Sequence, residues 1–202
     1  MKNHTILNLG PLLIAVICFL VGCKKAEQNS NIGEKTNQSV EQKFIPKYGN
    51  LYFDYDGIDH YHISTDESSV MALDTIPNRS KEDQLKLDII INKTPKSIND
   101  TEFIKSLEKI GFKKSAITSH KFKKINEVFI EKTVNEILEY ACVAVYRDIL
   151  IFKKKEKIVG IAKICFDCHQ KQIVGTKANT ENFGQDGDYE KLQQILYTNQ
   201  HQ

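Results

Sequence analysis

The chain has 202 residues, of which 41% are hydrophobic and 27% charged. This length and composition predict one globular domain with its own core and exclude a disordered chain. The formal net charge is only +2, but residues 45–92 hold nine acidic and four basic side chains, whereas residues 93–163 hold nine acidic and sixteen basic ones. The basic part favours a solvated face or a patch for anionic lipid head groups or surface polysaccharide. No recognised nucleic-acid-binding motif accompanies its lysines, which argues against a nucleic-acid partner.

The first 23 residues have the pattern of a secretory signal. Lys2 supplies a positive charge, and the uncharged apolar run Pro11–Val21 follows it. At about 11 residues, this run is too short to span a membrane, which takes roughly 20 residues. The run closes on Leu20-Val21-Gly22-Cys23, which resembles the lipobox of bacterial lipoprotein precursors.

This resemblance implies cleavage between Gly22 and Cys23, with lipid, palmitate included, on the sulfur and amine of Cys23. The mature protein would then be anchored in the cell envelope, with the membrane as its partner. By the same resemblance, Lys24 directly after Cys23, in place of an Asp, favours sorting of the protein to the outer membrane of a Gram-negative bacterium. We expect residues 1–22 to be the signal peptide, 23–43 to be the lipidated Cys and a disordered polar tether, and 44–202 to be one domain.

Several elements are predicted in the first half of that domain. Alternating apolar residues on both sides of Asp56-Gly57 predict a β-hairpin over residues 51–63. The polar stretch 66–83 is predicted to be mostly loop. Leu and Ile alternate with other residues over Leu85–Asn92, which predicts a strand.

The second half of the domain predicts helices around a long hairpin. The helices are expected at Asn99–Ile110, capped by Asn99, at Thr118–Phe129 and at Asp188–Tyr197. Strands are expected at Val143–Lys153 and Ile158–Phe166, with the turn at 154–157. The predicted fold class is therefore α+β, a single domain with helices packed on an antiparallel sheet.

The cysteines Cys142, Cys165 and Cys168 remain once Cys18 leaves with the signal and Cys23 carries lipid. The space outside the cytoplasmic membrane is oxidising, so we expect one disulfide and one leftover thiol. If the hairpin turn centres on Lys155, Cys142 lies opposite Cys168, and a shift of a residue or two brings it toward Cys165. The predicted disulfide joins Cys142 to one of these two.

The sequence Cys165-Phe166-Asp167-Cys168-His169 spells C-x-x-C-H, which is also the attachment motif of c-type haem, with the His as iron ligand. A zinc set with Cys142 and a redox C-x-x-C are further alternatives. The motif ends a strand pattern instead of opening a helix, which favours a structural role. His60 and His62 share a strand face and indicate either half of a metal site or a solvated edge.

No Ser, His and Asp arrangement for catalysis follows from spacing, so the sequence leans away from an enzyme. The segments Cys142–Cys168 and Phe183–Leu192 resemble parts of uncharacterised small bacterial lipoproteins, a group that implies no activity. We therefore expect a lipid-anchored, non-catalytic binding or structural module without a cofactor, whose partner is an envelope protein or polysaccharide. The alternative is a periplasmic or surface electron carrier that uses haem c or thiols at Cys165, Cys168 and His169.

Overall fold

A five-stranded antiparallel sheet forms the centre of the domain. The computed structural model describes residues 44–138 and 141–198. The strands are β1 (Tyr48–Leu51), β2 (Gly57–His62), β3 (Lys113–Ala116), β4 (Ile130–Lys132), β5 (Asp148–Lys154), β6 (Lys157–Cys165) and β7 (Gln170–Val174), and the α-helices are α1 (Glu67–Asp74), α2 (Lys81–Ile90), α3 (Thr101–Leu107), α4 (Phe122–Val128) and α5 (Asp188–Tyr197). The large sheet has the order β3-β2-β5-β6-β7, and β1 pairs with β4 in a separate two-stranded sheet.

Apolar layers cover both faces of the large sheet. Ile149 and Ile151 of β5 pack in a cluster with residues of α1, α2 and α3. Leu150 and Phe152 point the other way, into a cluster with α4 and α5. Because both faces are covered, the middle of β5 is apolar at every position instead of at alternate ones. The predicted α+β class, with helices packed on an antiparallel sheet, is confirmed.

Of the elements predicted between residues 51 and 92, only the strand after Asp56-Gly57 forms, as β2. The hairpin around Asp56-Gly57 does not form: β1 pairs with β4, and β2 pairs with β3 and β5. Asp56 instead receives a hydrogen bond from the Lys155 backbone, at the turn between β5 and β6. A sequence window cannot show this pairing, because β2 and β5 are some 90 residues apart.

Helices occupy the region expected to be a loop and a strand. Asp66 caps α1 by accepting a hydrogen bond from the Ser69 backbone at 2.7 Å, and Ser80 caps α2 by accepting one from Asp83 at 3.0 Å. Helix α2 buries Leu87, Ile89 and Ile90. Its buried side chains therefore lie on one side of a helix, although Leu and Ile alternate with other residues in its sequence as they would in a strand. Caps at both helix starts explain why these segments are helical.

The other predicted elements form close to the expected places, except that β5 begins at Asp148 and not at the predicted Val143. Asp100, not Asn99, caps α3, and Gly111 ends the turn after it at a φ of 103°. The region 118–129 is a short 3₁₀ turn (Ser119–Lys121) followed by α4, and α5 has the expected bounds.

The register of the β5–β6 hairpin differs from the predicted one by two residues. Leu150 pairs with Ala162 and not with Gly160. The turn consists of Lys155 and Glu156, both with positive φ, and an irregularity after Phe152 adds the rest of the shift. A shift of two keeps each side chain on its predicted face.

Two buried lysines lie on opposite sides of the large sheet. Lys132 forms an ion pair with Asp188, and both side chains are almost fully buried. Lys163 donates to the carbonyl oxygens of Asn92 and Thr94 at 2.6 and 2.8 Å. Burial lowers the pKa of Lys163 to about 7. Its ammonium group is enclosed by protein, so we assign Lys163 a structural role.

None of the helices in the described part of the chain has the length and apolar character needed to cross a bilayer. The signal peptide, Cys23 and the tether predicted from the sequence lie outside the described residues.

Candidate functional site

Four polar side chains meet where β2 ends and β5 begins, in the interior of the large sheet. Asp148 is the first residue of β5, and it pairs in register with His62, the last residue of β2. His60 lies two residues earlier on the same face of β2. Tyr197, the last residue of α5, approaches from the helix that covers this face. Three separate elements thus position the four groups, which we call the Asp148 cluster.

Asp148 is the common hydrogen-bond acceptor of the cluster. Its Oδ1 lies 2.7 Å from His60 Nε2 and 3.1 Å from His62 Nδ1, and it accepts a hydrogen bond from the Tyr197 hydroxyl. The Tyr197 oxygen also lies 2.9 Å from His62 Nδ1. The Asp148 and His60 side chains are 5% and 6% exposed, whereas His62 is 39% exposed. His62 is therefore the imidazole that a ligand can reach.

The network determines where the protons are. The Tyr197 hydroxyl donates its only proton to Asp148. His62 Nδ1 therefore faces two acceptors, the Asp148 carboxylate oxygen and the Tyr197 oxygen, and must carry a proton itself. A neutral His62 then has its lone pair on Nε2, on the opposite side of the ring. Within the described part of the chain, no hydrogen bond to His62 Nε2 is found. In its neutral form, His62 thus presents an oriented hydrogen-bond acceptor.

The electrostatics of the cluster keep Asp148 ionised. Burial acts to raise the pKa of Asp148, but the hydrogen bonds from His60, His62 and Tyr197 outweigh it, and the pKa falls to about 2. Burial and the neighbouring Asp148 charge raise the pKa of Tyr197 above its ordinary value, so its hydroxyl stays protonated and remains a donor. The carboxylate and the phenol therefore keep their roles over the whole neutral range.

We predict that this cluster contributes acid-sensitive stability. The pKa of Asp148 in the folded protein, about 2, lies below its ordinary value of 3.8. Its contribution is therefore fully present above pH 3.8 and is lost as the pH falls from 3.8 through 2. The stability advantage of the wild type over Asp148→Asn should shrink by about 2 kcal/mol between pH 5 and pH 2 in urea unfolding. Parallel pH curves for the two proteins would refute this role.

The Asp148 cluster borders a groove of about 270 Å³. Arg147 and Asp167 form an ion pair at 2.5 Å on its wall, and Arg147 also donates to the Thr65 carbonyl at 2.6 Å. We call it the Asp148 groove, and the residues that line it are His62, Val145, Arg147, Asp148, Phe166, Asp167, Gln193 and Tyr197.

The C-x-x-C-H motif forms the turn next to this groove. Cys165 ends β6 and pairs with Gln170 at the start of β7, so Phe166 to His169 are the turn. Phe166 and Asp167 of this turn line the Asp148 groove. The sulfurs of Cys142 and Cys168 are at disulfide distance, with their Cα atoms 6.0 Å apart, and Cys165 is buried with a free thiol. The sequence leaves Cys165 and Cys168 as possible partners of Cys142, and the structure places Cys168 beside it.

The residues of the motif do not fit haem attachment. That chemistry needs both sulfurs accessible to one porphyrin, but the Cys168 sulfur meets Cys142 and Cys165 is only 1% exposed. The His169 ring stacks on Tyr189, with the ring centroids 4.7 Å apart. In the described part of the chain, no group of three or more His, Cys, Asp or Glu side chains is arranged to hold a metal ion.

Sequence reasoning found part of the Asp148 cluster. The i, i+2 spacing of His60 and His62 placed them on one face, but β2 lies inside the sheet, so the expected solvated edge is wrong for His60. Asp148 and Tyr197 were missed as site residues. The sequence signal for Asp148 is a carboxylate at the start of a buried apolar strand. A buried carboxylate requires a hydrogen-bonding or oppositely charged partner.

Comparisons with protein-family models, with curated proteins and with solved structures find no match to this chain.

Proposed function

We propose that this protein is anchored in the cell envelope by lipid on Cys23 and that its domain binds a small polar ligand in the Asp148 groove without catalysis. The observation that carries the binding role is the orientation of His62 by Asp148 and Tyr197. Such preorganisation holds the acceptor Nε2 in place before the ligand arrives, which lowers the entropic cost of binding.

The lining of the groove indicates the chemistry of the ligand. His62 offers an acceptor, Gln193 offers a donor and an acceptor, and Asp167 and Arg147 add charged groups at the wall. Phe166 supplies an aromatic surface. Such a mixture suits a compound rich in hydroxyl groups, and about 270 Å³ suits one of small size. We therefore propose a neutral saccharide unit, in keeping with a polysaccharide partner in the envelope.

The groove favours binding over covalent catalysis. Its described lining contains no Ser, Thr, Cys or Lys, and its two carboxylates are already engaged, Asp148 by His60, His62 and Tyr197 and Asp167 by Arg147. The nearby thiol of Cys165 is buried, and the Cys168 sulfur is at disulfide distance from Cys142.

The proposal is tested by ligand-detected NMR on the full chain with a panel of neutral mono- and disaccharides. We expect at least one sugar to bind, and we expect His62→Gln to abolish its signal because the oriented acceptor is lost. Glu82→Gln, which changes an exposed side chain on α2 outside both grooves, is the control and should bind as the wild type does. Binding that persists in His62→Gln, or no binding of any sugar, would refute the site.

The alternative, an electron carrier that uses haem c or thiols, rests on the C-x-x-C-H sequence alone. A visible spectrum of the protein purified from an exporting host separates the two proposals. A Soret band, together with thioether-linked haem at Cys165 and Cys168, would make electron transfer the proposed function in place of ligand binding.

A further inference from the structure

A second and larger groove lies between the region 120–127 and helix α5, on a different surface from the Asp148 groove. Its volume is about 450 Å³, within the range of roughly 300–1,000 Å³ that is usual for small-molecule sites. One wall carries residues from the 3₁₀ turn and α4, and the other carries one face of α5. We call it the basic groove, and its lining residues are His120, Lys121, Lys124, Glu127, Lys191, Gln194, Ile195 and Thr198.

Positive charge dominates this groove. Lys121, Lys124 and Lys191 line it together with a single carboxylate, Glu127. It lies partly within the basic region of the sequence, residues 93–163, where sixteen basic side chains stand against nine acidic ones. Three lysines that line one concavity concentrate positive potential there more than lysines scattered over a convex surface do.

Two of the three lysines are held in place by the fold. Lys121 Nζ donates to the Ile195 carbonyl oxygen at 2.6 Å, across the groove. Lys191 Nζ donates to the Asp186 carbonyl oxygen at 2.7 Å, and the Asp186 carboxylate lies 3.5 Å away. Lys124 makes no ion pair with any residue in the described part of the chain. Each ammonium group keeps donors for a ligand, since it has three protons.

We infer that the basic groove binds an acidic oligosaccharide, through the carboxylate or phosphate groups of its sugars. The concave shape favours a chain that enters the groove over a flat bilayer surface. The lining supplies amide and hydroxyl groups from Gln194 and Thr198 beside the lysines, which suit the hydroxyl groups of the same ligand. This inference is independent of the neutral saccharide proposed for the Asp148 groove.

Isothermal titration of the full chain with an oligogalacturonate tetramer tests this inference, with maltotetraose as the neutral counterpart. We expect the acidic tetramer to bind, with an affinity that falls as salt is added, and maltotetraose to leave this groove empty. Lys124→Gln/Lys191→Gln should weaken binding by roughly tenfold or more. Lys105→Gln/Lys109→Gln removes the same charge from exposed positions on and next to α3 and should bind as the wild type does. His62→Gln should bind the acidic tetramer unchanged, which separates the two grooves.

Three results would overturn the inference. The first is absence of binding to the acidic tetramer at low salt. The second is an equal loss of affinity in both double variants, which would show a general charge effect. The third is binding to phosphatidylglycerol vesicles that depends on Lys124 and Lys191 while the tetramer does not bind, which would assign the groove to the membrane surface.

Discussion

Replacing Lys132 with Met is expected to lower the free energy of unfolding by about 3–5 kcal/mol, because it leaves Asp188 buried without its cation. Lys132 Nζ lies 2.5 Å from Asp188 Oδ1, and the two side chains are 1% and 0% exposed. The second carboxylate oxygen accepts a hydrogen bond from the Gly184 backbone at 3.0 Å. The pair thus joins β4 to the start of α5, the helix that also carries Tyr197.

The double variant Lys132→Met/Asp188→Asn is the informative comparison. Burial raises the pKa of Asp188, so the carboxyl group in the single variant can escape part of its cost by taking up a proton. Removal of both charges should recover part of the lost stability in urea unfolding. Lys105→Met, which breaks the exposed pair with Glu102, should change stability by no more than about 0.5 kcal/mol. A loss below about 1 kcal/mol in Lys132→Met would contradict the role of the pair.

Removal of the Cys142–Cys168 link is expected to cost about 3 kcal/mol, since it closes a loop over a sequence separation of 26 residues. The comparison is Cys142→Ser/Cys168→Ser against the wild type in urea under non-reducing conditions. Cys165→Ala keeps the link and removes only a buried thiol, so it should cost about 1 kcal/mol.

Peptide mapping without reduction identifies the partners directly. We expect one crosslinked peptide pair that contains Cys142 and Cys168, with Cys165 free. Cys142 joined to Cys165, or three free thiols, would show that this assignment is wrong. Because Phe166 and Asp167 of the same turn line the Asp148 groove, the double serine variant should also weaken ligand binding there.

The elements that sequence reasoning placed correctly are those whose signals are local. Helix α5 has apolar residues at Tyr189, Leu192, Ile195 and Leu196, which lie on one side of a helix, and its bounds matched. The β5–β6 hairpin has a polar turn between two apolar runs. Its register was wrong by two residues, yet the expected approach of Cys142 to Cys168 survived, because both cysteines lie beyond the paired strands.

The misplaced elements depend on distant partners or on helix caps. Leu85–Asn92 alternates like a strand, but Ser80 caps a helix there and the buried side is made by Leu87 and Ile90. The Asp148 cluster needs residues from β2, β5 and α5, which are far apart in the chain. Sequence spacing could place His60 beside His62, but it could not bring Asp148 or Tyr197 to them.

The most direct test of the proposed function is lipidation of Cys23. Bacteria that express the full chain are labelled with palmitate, and Cys23→Ala is compared with the wild type and with Cys18→Ala. We expect the wild type and Cys18→Ala to be processed, to carry label and to sediment with membranes, because Cys18 lies within the predicted signal. We expect Cys23→Ala to remain an unlabelled, uncleaved precursor. Normal processing and labelling of Cys23→Ala would contradict the lipid anchor and, with it, the proposed envelope function.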